Sequence, residues 1–316
     1  MSVSQVWRKH MEHKRRALLA LLAVVAVGSV ALSGCGETLV SADSSDLDDR
    51  ETIEAYSEEA GFFDESDIYD VASIPVAGSD QRTELEPVRI WREITERVVT
   101  RVVQVDHVEG TADLSVTREL LGTLNIVDSD STLYVKPMHH TGVRYAEFEK
   151  DDEWEPDNDG GYQAGKTHRY RRGPWGLTAT SGLLSSSEHL TMHIDWMRVQ
   201  SATVDVTISD PTLLMSVPDE IMHFEVGQQV TVTVSGPPDD ALVFLHTRRH
   251  RDALEYDAGV FTGTWTVMHR GAHCAAIQAL AHDSIYDSEY PDDCLIWGMP
   301  YAVGTENDVE PTERRP

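Results

Sequence analysis

The sequence predicts a mainly β protein, and three observations predict it. Apolar residues alternate with polar ones at a period of two, as at Ala112, Leu114 and Val116, which is the pattern of a half-buried strand. Beyond about residue 200 such stretches recur at short intervals with glycine and proline between them, the layout of a sandwich. Helical periodicity is confined to one segment near Asp49–Ala60, where Ile53 and Tyr56 fall at i, i+3 behind an acidic start. The expected architecture is two β-rich domains behind an N-terminal segment of different composition.

That segment opens with Arg8, Lys9, Lys14, Arg15 and Arg16 against one acid, Glu12, and continues with the uncharged run Ala17 to Ser33. A basic flank before a short apolar run is the layout of a secretory signal. An uncleaved membrane anchor is the alternative, because the run sits at the lower limit for a spanning helix. Leu32-Ser33-Gly34-Cys35 closes the run and resembles the lipobox of bacterial and archaeal lipoproteins. The resemblance implies a signal peptide of residues 1–34, a lipid on the Cys35 sulfur, and an extracytoplasmic chain anchored to membrane or envelope. Arg15-Arg16 leaves Sec and twin-arginine export both open.

Residues 36–86 hold sixteen acids and two arginines, Arg50 and Arg82. Residues 35–86 are therefore expected as an acidic, self-repelling tether with a short helix, which Phe62 and Phe63 dock on the next domain. The chain carries a formal charge of −28. So acidic a surface argues against nucleic acid or an anionic lipid face as partner. Arginine outnumbers lysine 21 to 5. An acid-rich, lysine-poor surface resembles that of salt-adapted organisms, and a GC-rich genome would also favour arginine.

Residues 87–200 form the first expected domain. Glu96–Val105 carries valines on both faces, and Gly122–Val127 and Val143–Phe148 read as further strands. Residues 150–175 read as a long polar loop. His189–Val199 alternates, with Leu190, Met192, Ile194 and Trp196 on one side and His189, Thr191, His193 and Asp195 on the other. Trp91–Thr95, Gly122–Ile126, Lys136-Pro137, Arg144–Phe148 and Trp175–Leu177, in that order, resemble a family of bacterial lipoproteins of unknown function. The order is also similar to the curved-sheet α+β cone of ketosteroid-isomerase-like and cystatin-like domains. A plain β-sandwich is the alternative.

Residues 201–305 form the second, with strand candidates Thr203–Ile208, Val230–Val234, Ala241–His246, Gly259–Val267, Cys274–Ala281 and Leu295–Val303. Asp257–Val267, with Gly271 and Ala281–Ser284, resembles the late strands of bacterial Ig-like surface domains and implies an Ig-like β-sandwich. Cys274 and Cys294, an even pair in an exported chain, are expected as a disulfide. Residues 306–316 are a charged tail.

Several motifs carry chemical residue types in unsuitable contexts. Gly160–Thr167 matches a P-loop by letter, yet neither a buried strand before it nor a lasting helix after it is readable. The calcium-like run from Glu155 has Lys166 where an EF-hand needs glutamate. His189 and His193 on a strand stand roughly 13 Å apart, too far to share zinc. His282-Asp283-Ser284 on an extended chain cannot align as a relay. No metal and no cofactor is therefore expected.

The basic island Arg248, Arg249, Arg251 is the candidate contact for an acidic partner. The functional expectation is a lipid-anchored, non-catalytic interaction or scaffold module that meets an envelope protein or glycan. A small-ligand binder or hydrolase, with a pocket in residues 87–200 built from Glu147, Asp195 or His193, is the alternative, and a passive spacer is a third.

Overall fold

A computed structural model describes residues 44–59, 61–63, 68, 74–75, 84–151, 171–172, 174–217, 219–248 and 250–304. Cys35 and the stretch Gly160–Thr167 lie outside them. Helix α1 (Ser44–Glu59) and a 3-10 turn at Gly61–Phe63 come first. They precede β1 (Ile74–Pro75), β2 (Pro87–Asp106), β3 (Thr111–Asp128) and β4 (Leu133–Lys150). Then come β5 (Arg171–Arg172), β6 (Trp175–Thr180), β7 (Leu184–Ser187), β8 (Trp196–Gln200) and β9 (Asp205–Ile208). β10 (Met215–Ser216), β11 (Met222–Phe224), β12 (Gln229–Ser235), β13 (Leu242–Thr247) and β14 (His250–Ala253) follow. Last are β15 (Glu255–Asp257), β16 (Val260–Thr266), β17 (Gly271–Leu280), the short helix α2 (Asp283–Tyr286) and β18 (Cys294–Val303).

The protein is mainly β, as its alternation predicts. The strands form two sheets, antiparallel apart from the β11–β18 pair. The smaller sheet runs β15-β16-β12-β8-β9. The larger runs β1-β2-β3-β4-β7-β18-β17-β13-β14, with β5, β6, β10 and β11 joined at its side. Strands from either side of residue 200 share that larger sheet, because β7 pairs with both β4 and β18.

The long strands bend. β2, β3 and β4 run for 20, 18 and 18 residues. A register shift between Ile94 and Glu96 on β2 marks a bulge, which bends and twists the pair. Gly122 faces it, and a Cβ there would lie 2.0 Å from the Glu93 carbonyl oxygen. Glycine is what lets the backbones approach so closely. On one side of the bend Ile90, Leu124, Ile126 and Met138 pack with Ala276, Leu280 and Ile296 from β17 and β18. On the other side Ala112, Leu114, Val116, Ala146 and Phe148 pack with Ile53, Tyr56, Phe62 and Phe63. The opposite face of β17 and β18, carrying Ala275, Ile277, Ala279, Leu295, Trp297 and Met299, closes a sandwich on Met197, Val199, Val230, Val232, Val234 and Phe261 of the smaller sheet.

Helix α1 begins already at Ser44 rather than at Asp49. Ile53, Tyr56, Phe62 and Phe63 are all buried, as the docking expectation requires. Asp49, only 7 % exposed, accepts hydrogen bonds from Trp175 Nε1 and Lys150 Nζ, both at 2.9 Å. Part of the stretch expected as a solvated tether is thus a docked helix. Sequence reading missed the Asp49 anchor, because Lys150 and Trp175, which balance the acid, lie about a hundred residues away.

The expected disulfide is corrected. Cys274 and Cys294 are both buried and not bonded to one another. In the β17–β18 ladder Cys274 lies opposite Pro300, whereas Cys294 lies opposite Leu280. The two cysteines therefore sit at opposite ends of the pairing, roughly 20 Å apart at about 3.4 Å per residue. A disulfide needs Cα atoms within about 7 Å. Counting cysteines gives their parity but not their register.

Two expectations follow. Alkylation of denatured protein without reductant should label both Cys274 and Cys294, and a linked peptide pair would contradict the observed register. Asp49→Ala should leave the buried Trp175 N–H without its acceptor, at a cost of about 1–3 kcal/mol. Hydrogen exchange should then show residues 44–59 losing protection while β17 and β18 keep theirs; unchanged protection of α1 would show that apolar docking alone holds it.

Candidate functional site

One end of the sandwich carries a small, open cleft of about 60 Å³. Its walls come from four places in the chain: Thr247 and Arg248 at the end of β13, Thr266–His269 after β16, His273 on β17 and Tyr301 on β18. Pairing fixes these elements. Val260–Thr266 lies along β12, and Gly227 and Val267 bind each other's neighbourhood through Gly227 N–H to Val267 O at 2.7 Å and Val267 N–H to Gln228 O at 3.0 Å. His273 donates from Nε2 to the carbonyl oxygens of His269 at 2.9 Å and Arg270 at 3.2 Å, which ties down the loop forming one wall.

Aromatic rings support the floor. Trp265, Tyr301 and Phe224 form an edge-packed cluster, and the His273 ring lies 5.4 Å from Tyr301. The indole N–H of Trp265 is buried and has no partner among the described residues. Burial pushes the Tyr301 hydroxyl up to about 12, with Arg248 pulling the other way, so the hydroxyl stays protonated at neutral pH. Burial and then the Arg248 charge hold His273 below its ordinary value, so its ring is neutral there. Among the described residues lining the cleft none is acidic, although the chain has 54 Asp and Glu against 26 Lys and Arg. Arg248 is exposed and available to an acceptor.

A second polar cluster lies inside the curl of the larger sheet. Arg92 on β2 donates from one terminal nitrogen to Asp292 Oδ1 at 3.3 Å, and His140 Nε2 lies 2.6 Å from Asp292 Oδ2. A carboxylate can only accept, so Nε2 carries the proton and Nδ1 holds the lone pair. Gln278 Nε2 donates to Cys294 Sγ at 3.2 Å. Arg251 donates from Nε to His246 Nε2 at 2.9 Å and from a terminal nitrogen to Gln278 Oε1.

Burial opposes the charge on Arg92, yet Cys294 and Asp292 beside it hold its pKa up. Burial also works against the Asp292 charge, but Arg92 and His140 overcome it and bring the carboxyl down to about 2. Burial pushes the Cys294 thiol up and the Arg251 guanidinium down to about 9. His140 is lowered by burial and then by Arg92. Cys, His and Asp are residue types of nucleophilic catalysis, but here Cys294, His140 and Asp292 are 0 %, 1 % and 3 % exposed, and Cys294 stays a protonated thiol. The cluster works as a clasp joining β2 and β4 to the segment before β18.

The sequence-expected residues are dispersed. Of the basic island only Arg248 lines the cleft; Arg251 turns inward over the Phe244 ring, and Arg249 lies outside the described residues. Arg251 is thereby withdrawn from the expected surface patch. Met192 and Ile194 are buried and His189, His193 and Asp195 exposed, as the alternation predicts, but only Trp196–Gln200 of that stretch is a strand. Leu190 departs from the pattern and is 42 % exposed.

Glu147, expected with Asp195 or His193 in a pocket, stands on β4 opposite Asp113 in the larger sheet. Asp195 bonds instead to Ser235 beside the smaller one. All three are exposed, with Glu147 on β4 and His193 and Asp195 together on the segment before β8. Sequence reading missed Trp265, His269, His273 and Tyr301. The one legible signal was Met268–His273, a run with imidazoles, an arginine and no acid on an acidic chain. Comparisons with family models, curated proteins and solved structures found no match.

The clasp generates a pH dependence. The folded pKa values of both His140 and Asp292 lie below their unfolded values. Each contribution is therefore complete above the unfolded pKa, about 6.5 and 3.9, and is lost as pH falls through the folded one. Asp292→Asn should cost about 3–5 kcal/mol at pH 7 by leaving Arg92 buried without its carboxylate. His140→Gln should cost less, and its deficit in denaturant titration should narrow as pH drops from 7 to 5. A deficit constant across that range would remove His140 from the pH response.

Proposed function

We propose that the chain is an exported, lipid-anchored, non-catalytic interaction module of the cell envelope, with an Ig-like sandwich that presents the cleft to a partner. Cys35 carries the lipid, and the acidic residues after it keep the folded part off an anionic surface. The observation that carries the reading is the acid-free cleft around Arg248. On a chain of −28 an opening lined by a guanidinium and imidazoles is a selective landing place for an anionic group. The repelling field around it rejects acidic molecules that cannot reach Arg248.

The anchor is tested by fractionation. Cys35→Ala should shift the protein from membrane to soluble fraction, and membrane retention after signal removal would refute lipidation. The interaction is tested by affinity capture with the full chain from its native envelope fraction at native salt. A stoichiometric partner should be recovered and lost with Arg248→Gln. Equal recovery with that variant would overturn the cleft as the contact surface.

A further inference from the structure

We infer that β2 is the seam of a two-fold dimer, in which its outward edge pairs antiparallel with the same edge of a second copy of the chain. Among the described residues that edge is paired only at Arg89 and Ile90, by the two-residue β1. The other strands that end the two sheets, β9, β14 and β15, are 4, 4 and 3 residues long. Short edges offer little to a second chain, whereas a long unpaired edge is a template for β-pairing. After its bulge β2 keeps an unbroken ladder with β3 from Glu96 to Asp106, and no proline, glycine or lysine blunts its other side. Val98 and Val102 are 44 % and 49 % exposed on the outer face. Helix α1 packs against the opposite face, with Val103, and Arg101 there donates to Ser57 Oγ.

The pattern of this strand selects a second copy of itself. A two-fold axis through Thr100 sets Val98 against the partner's Val102, Arg97 against the partner's Val103, Val99 against the partner's Arg101 and Glu96 against the partner's Gln104. No like charges then stand opposite one another, an arrangement that would destabilise the pair. Moving the axis to Val99 or Arg101 sets arginine against arginine. The segment has Arg97 and Arg101 against Glu96, so on a chain of −28 two copies meet here without setting acid against acid. A contact of this isologous kind closes at two copies.

Oxidative cross-linking of the purified full chain in detergent tests the register. Thr100→Cys places two thiols on the axis and should give a covalent dimer. Gln104→Cys, exposed on the same face, sets its two thiols about 27 Å apart and should not. The unsubstituted chain, with its own three cysteines, gives the background. Sedimentation should show a dimer that tightens as salt screens the −28 charge. Val98→Lys with Val102→Lys faces lysine with lysine twice and should weaken the dimer about tenfold, whereas Val98→Glu with Val102→Lys should restore it. If either double variant is misfolded by circular dichroism, the cysteine variants decide. A monomer at every salt concentration, a dimer indifferent to the lysines, or equal cross-linking at Gln104→Cys would overturn the seam. A foreign protein cross-linked to Thr100→Cys in the envelope fraction, in place of a second copy, would overturn self-pairing.

Discussion

Everything in this molecule is built around β17 and β18, two adjacent strands whose facing residues are buried on both sides. A strand pair in that position must satisfy two cores at once. One face carries Ile277, Trp297 and Met299 into the sandwich, and the other carries Ala276, Leu280 and Ile296 under the bent strands β2 to β4. Each fully buried isoleucine, leucine or methionine among them contributes roughly 1.5–3 kcal/mol. Losing either cover would expose one whole face. The curl of the larger sheet is the geometric answer: its far strands must fold back to shield the second face, and the Ile94–Glu96 bulge against Gly122 supplies the bend.

The inner face is where the chain places cations. Arg92, Lys136 and Arg144 are 7 %, 4 % and 0 % exposed, on a protein whose surface is dominated by acids. Each is held by specific acceptors: Asp292 for Arg92, the carbonyls of Ser284 and Asp287 for Lys136, and the Phe62 carbonyl for Arg144. Buried ionic groups of this kind add little net stability but penalise wrong arrangements, since a misplaced strand would leave a charge in a dry interior. They bind the long hairpins, the turn after Phe62 and the segment before β18 into one register.

Much of the fold was legible because burial leaves a periodic trace. Alternation placed β3, and short apolar runs placed β12, β13, β16, β17 and β18 close to where they lie. The Ile53–Tyr56 pair marked the docked face of α1. The runs in β17 and β18 lack alternation, which is the trace of strands covered on both faces, but composition does not say what covers them. Pairing across long separations was not legible. That is why the cysteines could be paired by count and yet stand at opposite ends of a ladder, and why three neighbouring arginines in sequence could part company, Arg251 turning into the clasp while Arg248 stays at the cleft.

The sequence by itself determined the local and the compositional: strand and helix segments, the acidic character and a lipobox-like stretch at Cys35. Only tertiary structure decided which faces meet, because those contacts link residues 17 to 200 positions apart and depend on register, bend and handedness that no local window contains. Arg92 reaches Asp292, Asp49 reaches Trp175, and Arg248 meets Trp265 and Tyr301 in one cleft through such contacts. The physical reason is that hydrophobic periodicity records whether a side chain is buried. It does not record against what.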